Sequence, residues 1–280
     1  MIGPTTGSPV GVTLALHDLG GDPTGTPILF CHATGFCAPV WGPVARLLAD
    51  HRCWALDFRC HGRSSRPTDD DLSWSGTADD VLAAIDRLEL VRPFGAGHSM
   101  GGAALLLAEQ RRPGTFAGLW CFEPIVIPHE PEGSVPDANP LAEGAARRRE
   151  VFPSFDAARA NFASKPPMSA FDAAALDGYI EGGFEQLEDG TVRLRCRAAD
   201  ESRFYRMGAT AAADEHLAEV ACPVTVVRGR VEPGPALLAP AVAATVADGR
   251  LLEDPGVGHF GPMEDPTGTA RSIRDAIGDP

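Results

Sequence analysis

Short apolar runs alternate with stretches of helical spacing along most of this chain. Val12 to Leu19 reads as a first strand, and Pro27 to Cys31 is apolar throughout, as a strand buried on both faces must be. A helix is expected over Pro39 to Ala49 and a strand over Cys53 to Leu56. Val81, Leu82, Ile85 and Leu88 recur on one face of a helix from Ala78 to Leu88. Next come the apolar run Leu88 to Phe94, a helix over Ala103 to Gln110 and a strand over Phe116 to Phe122. This alternation predicts an α/β fold, a mostly parallel sheet with helices on both faces.

The alternation stops near Pro128 and resumes near Val220. Between them stand Pro128, Pro131, Pro136 and Pro140, then helix-forming segments at Asp156 to Ser164 and Phe171 to Ile180. An inserted, mostly helical lid is therefore expected over residues 129–219, with residues 1–128 and 220–280 forming the core. After the insertion, Pro223 to Val227 reads as a strand and Ala236 to Val246 as a helix. Arg250 to Leu252 is a short strand and Thr267 to Ile277 a closing helix. The chain shows no internal repeat.

Composition narrows the functional classes. The chain has 280 residues, 44% of them hydrophobic, and a net charge of −14. Such a surface repels nucleic acid and anionic membrane, so the expected partner is a small-molecule substrate, with a homodimer left open. Lys165 is its lone lysine among many arginines. No apolar run approaches membrane-spanning length, and Met1 to Gly7 lacks a charged-then-apolar signal pattern. Seven scattered cysteines fit a reduced, cytoplasmic setting better than a disulfide framework. Cys31-His32 and Cys60-His61 look superficially like metal ligands. Neighbours on a strand point to opposite faces, however, and the chain has neither Cys-x-x-Cys nor His-x-x-x-His. Neither a metal nor a cofactor is implied.

Chemistry concentrates at Gly97-His98-Ser99-Met100-Gly101. A Gly-x-Ser-x-Gly pattern alone is weak, but an apolar run before it and a helical run after it make a nucleophile elbow. The turn is so sharp that a Cβ at either glycine would strike neighbouring backbone. Ser99 needs a base, because a serine hydroxyl is a poor nucleophile at neutral pH. His259, in Gly256-Val257-Gly258-His259-Phe260 between the last short strand and the last helix, is the best placed of eight histidines. The acid has two candidates, Glu123 and Glu232, each following an apolar strand and each preceding His259. A carboxylate at the end of a buried strand is costly unless partnered, which favours Glu123 over the Arg230-flanked Glu232.

The oxyanion of acyl transfer needs donors. The backbone N–H of Met100 should supply one and that of Thr34, in His32-Ala33-Thr34-Gly35-Phe36, the other. His32 and His98 are candidate substrate contacts beside this loop and the serine. Phe155, Phe162, Met168 and Tyr179, with Phe171 and Phe184, are candidate pocket residues of the lid, among which most should be ordinary lid core.

Four ordered motifs now stand together. They are Phe-Cys-His-Ala-Thr-Gly-Phe at 30–36, Ala-Leu-Asp-Phe-Arg-Cys-His-Gly-Arg-Ser at 55–64, Gly-His-Ser-Met-Gly-Gly at 97–102 and Gly-Val-Gly-His-Phe at 256–260. With them the chain resembles the α/β-hydrolase superfamily over nearly its whole length. Ala33 and Cys60 replace the family's usual glycines but remove no catalytic group. The late-strand acid position of the family is held by Glu232. Phe122-Glu123-Pro124 looks like the other arrangement, found in haloalkane dehalogenases, with the acid after the strand that follows the elbow helix. Those enzymes and the epoxide hydrolases use an aspartate nucleophile, so Ser99 argues against both activities.

The resemblance implies a cofactor-independent serine hydrolase acting on an ester, lactone or thioester of a small to medium apolar acid. The same fold and triad also carry out C–C bond hydrolysis, hydroxynitrile cleavage and cofactor-free oxygenation, and some relatives only bind a ligand.

Overall fold

A computed structural model of the chain describes residues 6–7, 11–128, 139–208 and 211–278. Met1 to Thr5, and the prolines Pro131 and Pro136 at the start of the expected insertion, lie outside the described residues. The order begins with β1 (Thr6–Gly7), β2 (Thr13–Gly21), β3 (Pro27–Cys31), α1 (Gly42–Leu47) and β4 (Arg52–Asp57). It continues with α2 (Trp74–Arg87), β5 (Phe94–His98), α3 (Met100–Arg111) and β6 (Gly118–Phe122). An insertion follows, made of α4 (Pro140–Ala146), β7 (Val151–Phe152), α5 (Phe155–Ala163), α6 (Ala173–Gly183), β8 (Phe184–Gln186), β9 (Val192–Leu194) and α7 (Ala198–Met207). The core resumes with β10 (Val224–Arg228), α8 (Ala239–Thr245), β11 (Gly249–Glu253), α9 (Gly261–Glu264) and α10 (Pro266–Ile277).

The core sheet runs β1-β2-β4-β3-β5-β6-β10-β11. β2 pairs antiparallel with β1 and β4, and every other pair is parallel. Parallel strands must be covered on both faces. Here α2, α3 and α8 bury one face against Leu29, Leu56, Leu119 and Val226. On the other face α1 and α10 close over Ile28, Phe30, Trp120 and Val227. Phe30 and Trp41, both fully buried, meet at 5.0 Å on this second face. Burying such a ring stabilises the fold by about 2–3 kcal/mol.

Several boundaries differ from the sequence reading, each for a local reason. α2 begins at Trp74, because Ser73 caps it by accepting from Gly76 N at 3.1 Å and Trp74 Nε1 donates to Phe204 O at 2.8 Å. The apolar run Leu88 to Phe94 is the exit from α2. The strand itself is Phe94–His98, whose glycines look like turn residues in the sequence. A Cβ on Gly95 would lie 2.6 Å from Leu119 Cδ2, so the leucine end would have to shift to admit one. Pro39 to Ala49 splits into a 3₁₀ turn at Ala38–Trp41 and the short α1. Within the insertion, β7, β9 and β8 form a small antiparallel sheet, so this segment is less purely helical than expected. No helix of the described residues is long and apolar enough to cross a membrane.

Candidate active site

Strand register brings four chain exits to one end of the sheet. Cys31 pairs with Gly97, His98 with Phe122, and Phe122 with Val227. Consequently the residues just past β3, β5, β6 and β10, namely His32, Ser99, Glu123 and Gly229, stand together at the carboxyl edge. Ser99 occupies the hinge between β5 and α3 at φ 56°, ψ −117°, a left-handed conformation that costs a non-glycine residue on the order of 1–3 kcal/mol. Two glycines permit the turn. A Cβ on Gly101 would lie 2.2 Å from Cys31 O, and one on Gly97 would lie 2.7 Å from the Gly101 backbone. Bonds from Ser99 N to Phe122 O (3.0 Å) and from Ala103 N to Ser99 O (3.2 Å) tie the hinge down.

Glu123 turns out of β6 with φ 43° and is buried. Its carboxylate is satisfied twice. Oε2 accepts from His259 Nδ1 at 2.7 Å, and Oε1 accepts from the backbone N–H of Gly229 at 2.8 Å. This leaves His259 with its Nδ1–H committed to the carboxylate and Nε2 as the basic nitrogen. Gly229 has a second constraint, since a Cβ there would meet Gly258 O and Val257 O at 2.7 Å. The exit of β10 therefore packs flat against the loop that carries His259. Gly258 N donates to Glu264 Oε2 at 2.8 Å and anchors that loop from its other side.

Glu232 does not share this arrangement. Beyond Gly229 the chain turns to solvent, where Glu232 pairs with Arg230 at 3.3 Å and both side chains are more than half exposed. The two expected histidine contacts to substrate are also corrected. His32 is fully buried, donates from Nδ1 to Ala33 O at 2.8 Å and accepts from Phe58 N at Nε2 (3.1 Å). Burial pushes its pKa down to about 4, so it stays neutral. His98, equally buried, donates from Nε2 to His259 O at 2.8 Å and holds the histidine loop instead of a ligand. Burial and the neighbouring His259 push its pKa well down.

The two residues expected to supply the oxyanion donors touch through their side chains. Thr34 Oγ1 donates to Met100 Sδ at 3.3 Å. Met100 opens α3, so its N–H has no intrahelical acceptor, and the Thr34 N–H has no backbone acceptor among the described residues. The loop of Thr34 is braced from beneath by a residue that the sequence reading left without a role. His61 Nδ1 donates to Arg59 O at 2.9 Å and Nε2 accepts from Gly35 N at 2.9 Å. Burial lowers its pKa to about 3, which keeps Nε2 an acceptor. Both His32 and His61 thus spend both ring nitrogens on backbone, leaving none for a metal. Asp57 completes the brace, accepting from Ala38 N at 2.7 Å and from His17 at 2.8 Å.

A cavity of about 250 Å³ opens beside Thr34. Phe36 and Phe260 wall it from the core, and Phe162 and Met168 from the insertion. Phe171 packs on both Phe36 and Phe260 at 6.1 and 5.7 Å, backing the same wall. Arg148, Lys165, Glu201 and Tyr205 supply its polar part. Tyr179 stands behind this wall, fully buried, with its hydroxyl accepting from Arg148 Nη2 at 2.6 Å. Phe184 lies in the core of the insertion, edge-on to Phe152. Phe155 is on neither. It lines a separate, open cleft of about 570 Å³ with Arg63 of the core and Arg159 and Glu181 of the insertion. Nothing local in the sequence marks Arg148 or Glu201, because their contact joins segments 53 residues apart.

The profile of the alpha/beta hydrolase family matches residues 28–272 of the chain. Human monoglyceride lipase is 34% identical over 114 residues, a stretch covering 38% of this chain and 38% of the lipase. The chain thus aligns with little more than a third of that relative. In three dimensions, E-2-(acetamidomethylene)succinate hydrolase superposes with a TM-score of 0.78 at 22% identity, over 99% of this chain and 100% of that one. The enol-lactonase from Burkholderia xenovorans LB400 gives 0.70 at 20% identity, over 99% and 100%. At such identities the two structures speak for the fold alone.

Proposed function

Because the chain belongs to the alpha/beta hydrolase family, we propose that it is a cofactor-independent serine hydrolase. Its substrate is an ester, lactone or thioester of small to medium size with a largely apolar body. The reading is carried by the 2.7 Å bond from His259 Nδ1 to Glu123 Oε2, made at the strand end beside the left-handed Ser99.

Ser99 Oγ adds to the substrate carbonyl carbon while its proton passes to His259 Nε2. Glu123, dry and held by Gly229, keeps the imidazole in the Nδ1–H tautomer and stabilises the cation that forms. The carbonyl oxygen, now negative, is received by the N–H groups of Thr34 and Met100. The tetrahedral adduct collapses, and the alcohol or thiol departs with the proton that His259 returns. Water then gives a proton to the same Nε2 and attacks the acyl carbon, releasing the acid and restoring the Ser99 hydroxyl. The insertion acts as a lid whose aromatic residues keep bulk water from the acyl-enzyme.

A fluorophosphonate probe tests this directly. It should label the wild-type protein on Ser99 and leave Ser99→Ala unlabelled, with p-nitrophenyl esters hydrolysed only by the former. Absence of labelling overturns the assignment. Strong labelling with negligible ester turnover redirects the site to C–C bond cleavage or to ligand binding.

A further inference from the structure

The cavity beside Thr34 is not evenly apolar. Arg148 from the segment after α4 and Lys165 from the turn after α5 bring two cations to its wall, against one carboxylate, Glu201. Elsewhere the chain carries an excess of acid, with a net charge of −14. Its lone lysine has been placed at this cavity and makes no ion pair among the described residues. Lys165 Nζ donates only to the neutral Asn161 Oδ1 at 2.9 Å.

Arg148 is half-buried and strongly oriented. Nη1 pairs with Glu201, Nη2 donates to the Tyr179 hydroxyl at 2.6 Å, and the guanidinium lies 5.8 Å from the centre of the Phe162 ring. A guanidinium has five N–H donors. The three not used in these bonds have no acceptor among the described residues. The Tyr205 hydroxyl on the same wall also has no partner there. These are donors fixed in place with nothing to donate to, in a partly dry space where charge attraction is little screened.

We propose that this end of the cavity receives a carboxylate of the substrate, so that the enzyme acts on short half-esters, or on the corresponding lactones and thioesters, of dicarboxylic acids. This rests on the hydrolytic reading of Ser99 and His259 and adds the substrate class to it. One surplus positive charge matches a single carboxylate, whereas a dianion would face Glu201. The spacing is short. A Cβ on Gly35 would lie 3.3 Å from Arg148 Nη1 and 2.6 Å from Glu201 Oε1, and Gly35 follows directly on Thr34, the proposed oxyanion donor. Only a few atoms separate the scissile carbonyl from the charge-reading group. Arg148 supplies the planar fork that fits a carboxylate, and Lys165 adds a mobile point charge from the rim.

Ethyl hydrogen glutarate and ethyl valerate, alike in length but differing in charge, separate the possibilities when acid release is followed by titration. The wild-type protein should favour the charged ester in kcat/KM by about tenfold or more, and the preference should shrink as salt is added. In Lys165→Met and in Arg148→Met the charged-to-neutral ratio should fall towards one. Lys165 is exposed, so its substitution does not threaten folding even where that of Arg148 does. Equal or better hydrolysis of ethyl valerate by a protein whose Ser99 takes the fluorophosphonate overturns this inference alone. An unchanged ratio in Lys165→Met and a folded Arg148→Met overturns it too. A protein that takes no label and cleaves neither ester loses the hydrolytic reading, and this one falls with it.

Discussion

The backbone N–H of Gly229, at the exit of β10, donates to Glu123 Oε1 at 2.8 Å, while the other oxygen of that carboxylate accepts from His259. Three segments, after β6, β10 and β11, thus meet on one buried carboxylate. Placed just past β6, it is served by the exit of β10 as a backbone donor.

Glu123→Gln should keep the fold and lose the charge that stabilises the imidazolium. Turnover of a p-nitrophenyl ester should drop on the order of a thousandfold. Glu232→Gln, at an exposed pair with Arg230, should stay within about twofold of wild type. Equal losses in the two variants would refute the assignment of the acid.

Gly229→Ala probes the same contact from the backbone side. Its Cβ would press on Gly258 O and Val257 O at 2.7 Å, neither of which can rotate away. Unfolding in urea should show a loss of about 1–3 kcal/mol, accompanied by reduced turnover because the His259 loop is displaced. A variant as stable and active as wild type would mean that this packing is looser than described.

His98→Ala should act through position. Removing the donor to His259 O frees the histidine loop without touching the substrate. A fall in kcat of about ten- to a hundredfold with little change in KM is expected, since small misplacements of a catalytic group are costly. A rise in KM alone would return His98 to the substrate-binding role that the structure denies it.

Ser99→Gly should remove activity and raise stability by about 1 kcal/mol, because glycine adopts φ 56° without strain. Thermal unfolding of Ser99→Ala, which retains a Cβ, is the control. Equal melting temperatures in the two variants would show that no strain is stored at the hinge.

Acid should begin to destabilise the protein below about pH 6.5. Buried and neutral, His32 and His61 have pKa values lowered from 6.5 to about 4 and about 3. The unfolded chain binds protons at these sites below pH 6.5 and the folded chain does not. Their contribution is complete above pH 6.5 and is lost as pH falls towards 4, by on the order of 3 kcal/mol for His32. Urea midpoints at intervals from pH 7 to pH 4.5 would measure this slope. A flat profile would rule it out.

Much of this architecture was legible in the chain because periodicity and turn chemistry are local. The apolar run Pro27 to Cys31, the elbow glycines 97 and 101, and the helix that follows them could only suit a buried parallel strand and a tight strand-to-helix turn. β5 was misplaced for the opposite reason. Its glycines answer to Leu119 and to the backbone of Gly101, neighbours that sequence order does not show.

Taken alone, then, the sequence determined the α/β class, the elbow at Ser99, the histidine loop and two eligible glutamates. Burial cost favoured Glu123 without deciding it. Tertiary structure separates the two through strand register, which sets residue 123 beside residues 99 and 229, with its carboxylate on His259, and sends residue 232 into solvent. Likewise it made braces of His32 and His61, whose ring nitrogens are both spent on backbone, and of His98, whose Nε2 holds His259 O. The charged end of the cavity belongs wholly to the tertiary level. Arg148, Lys165 and Glu201 come from three separate parts of the insertion, and only packing makes them neighbours.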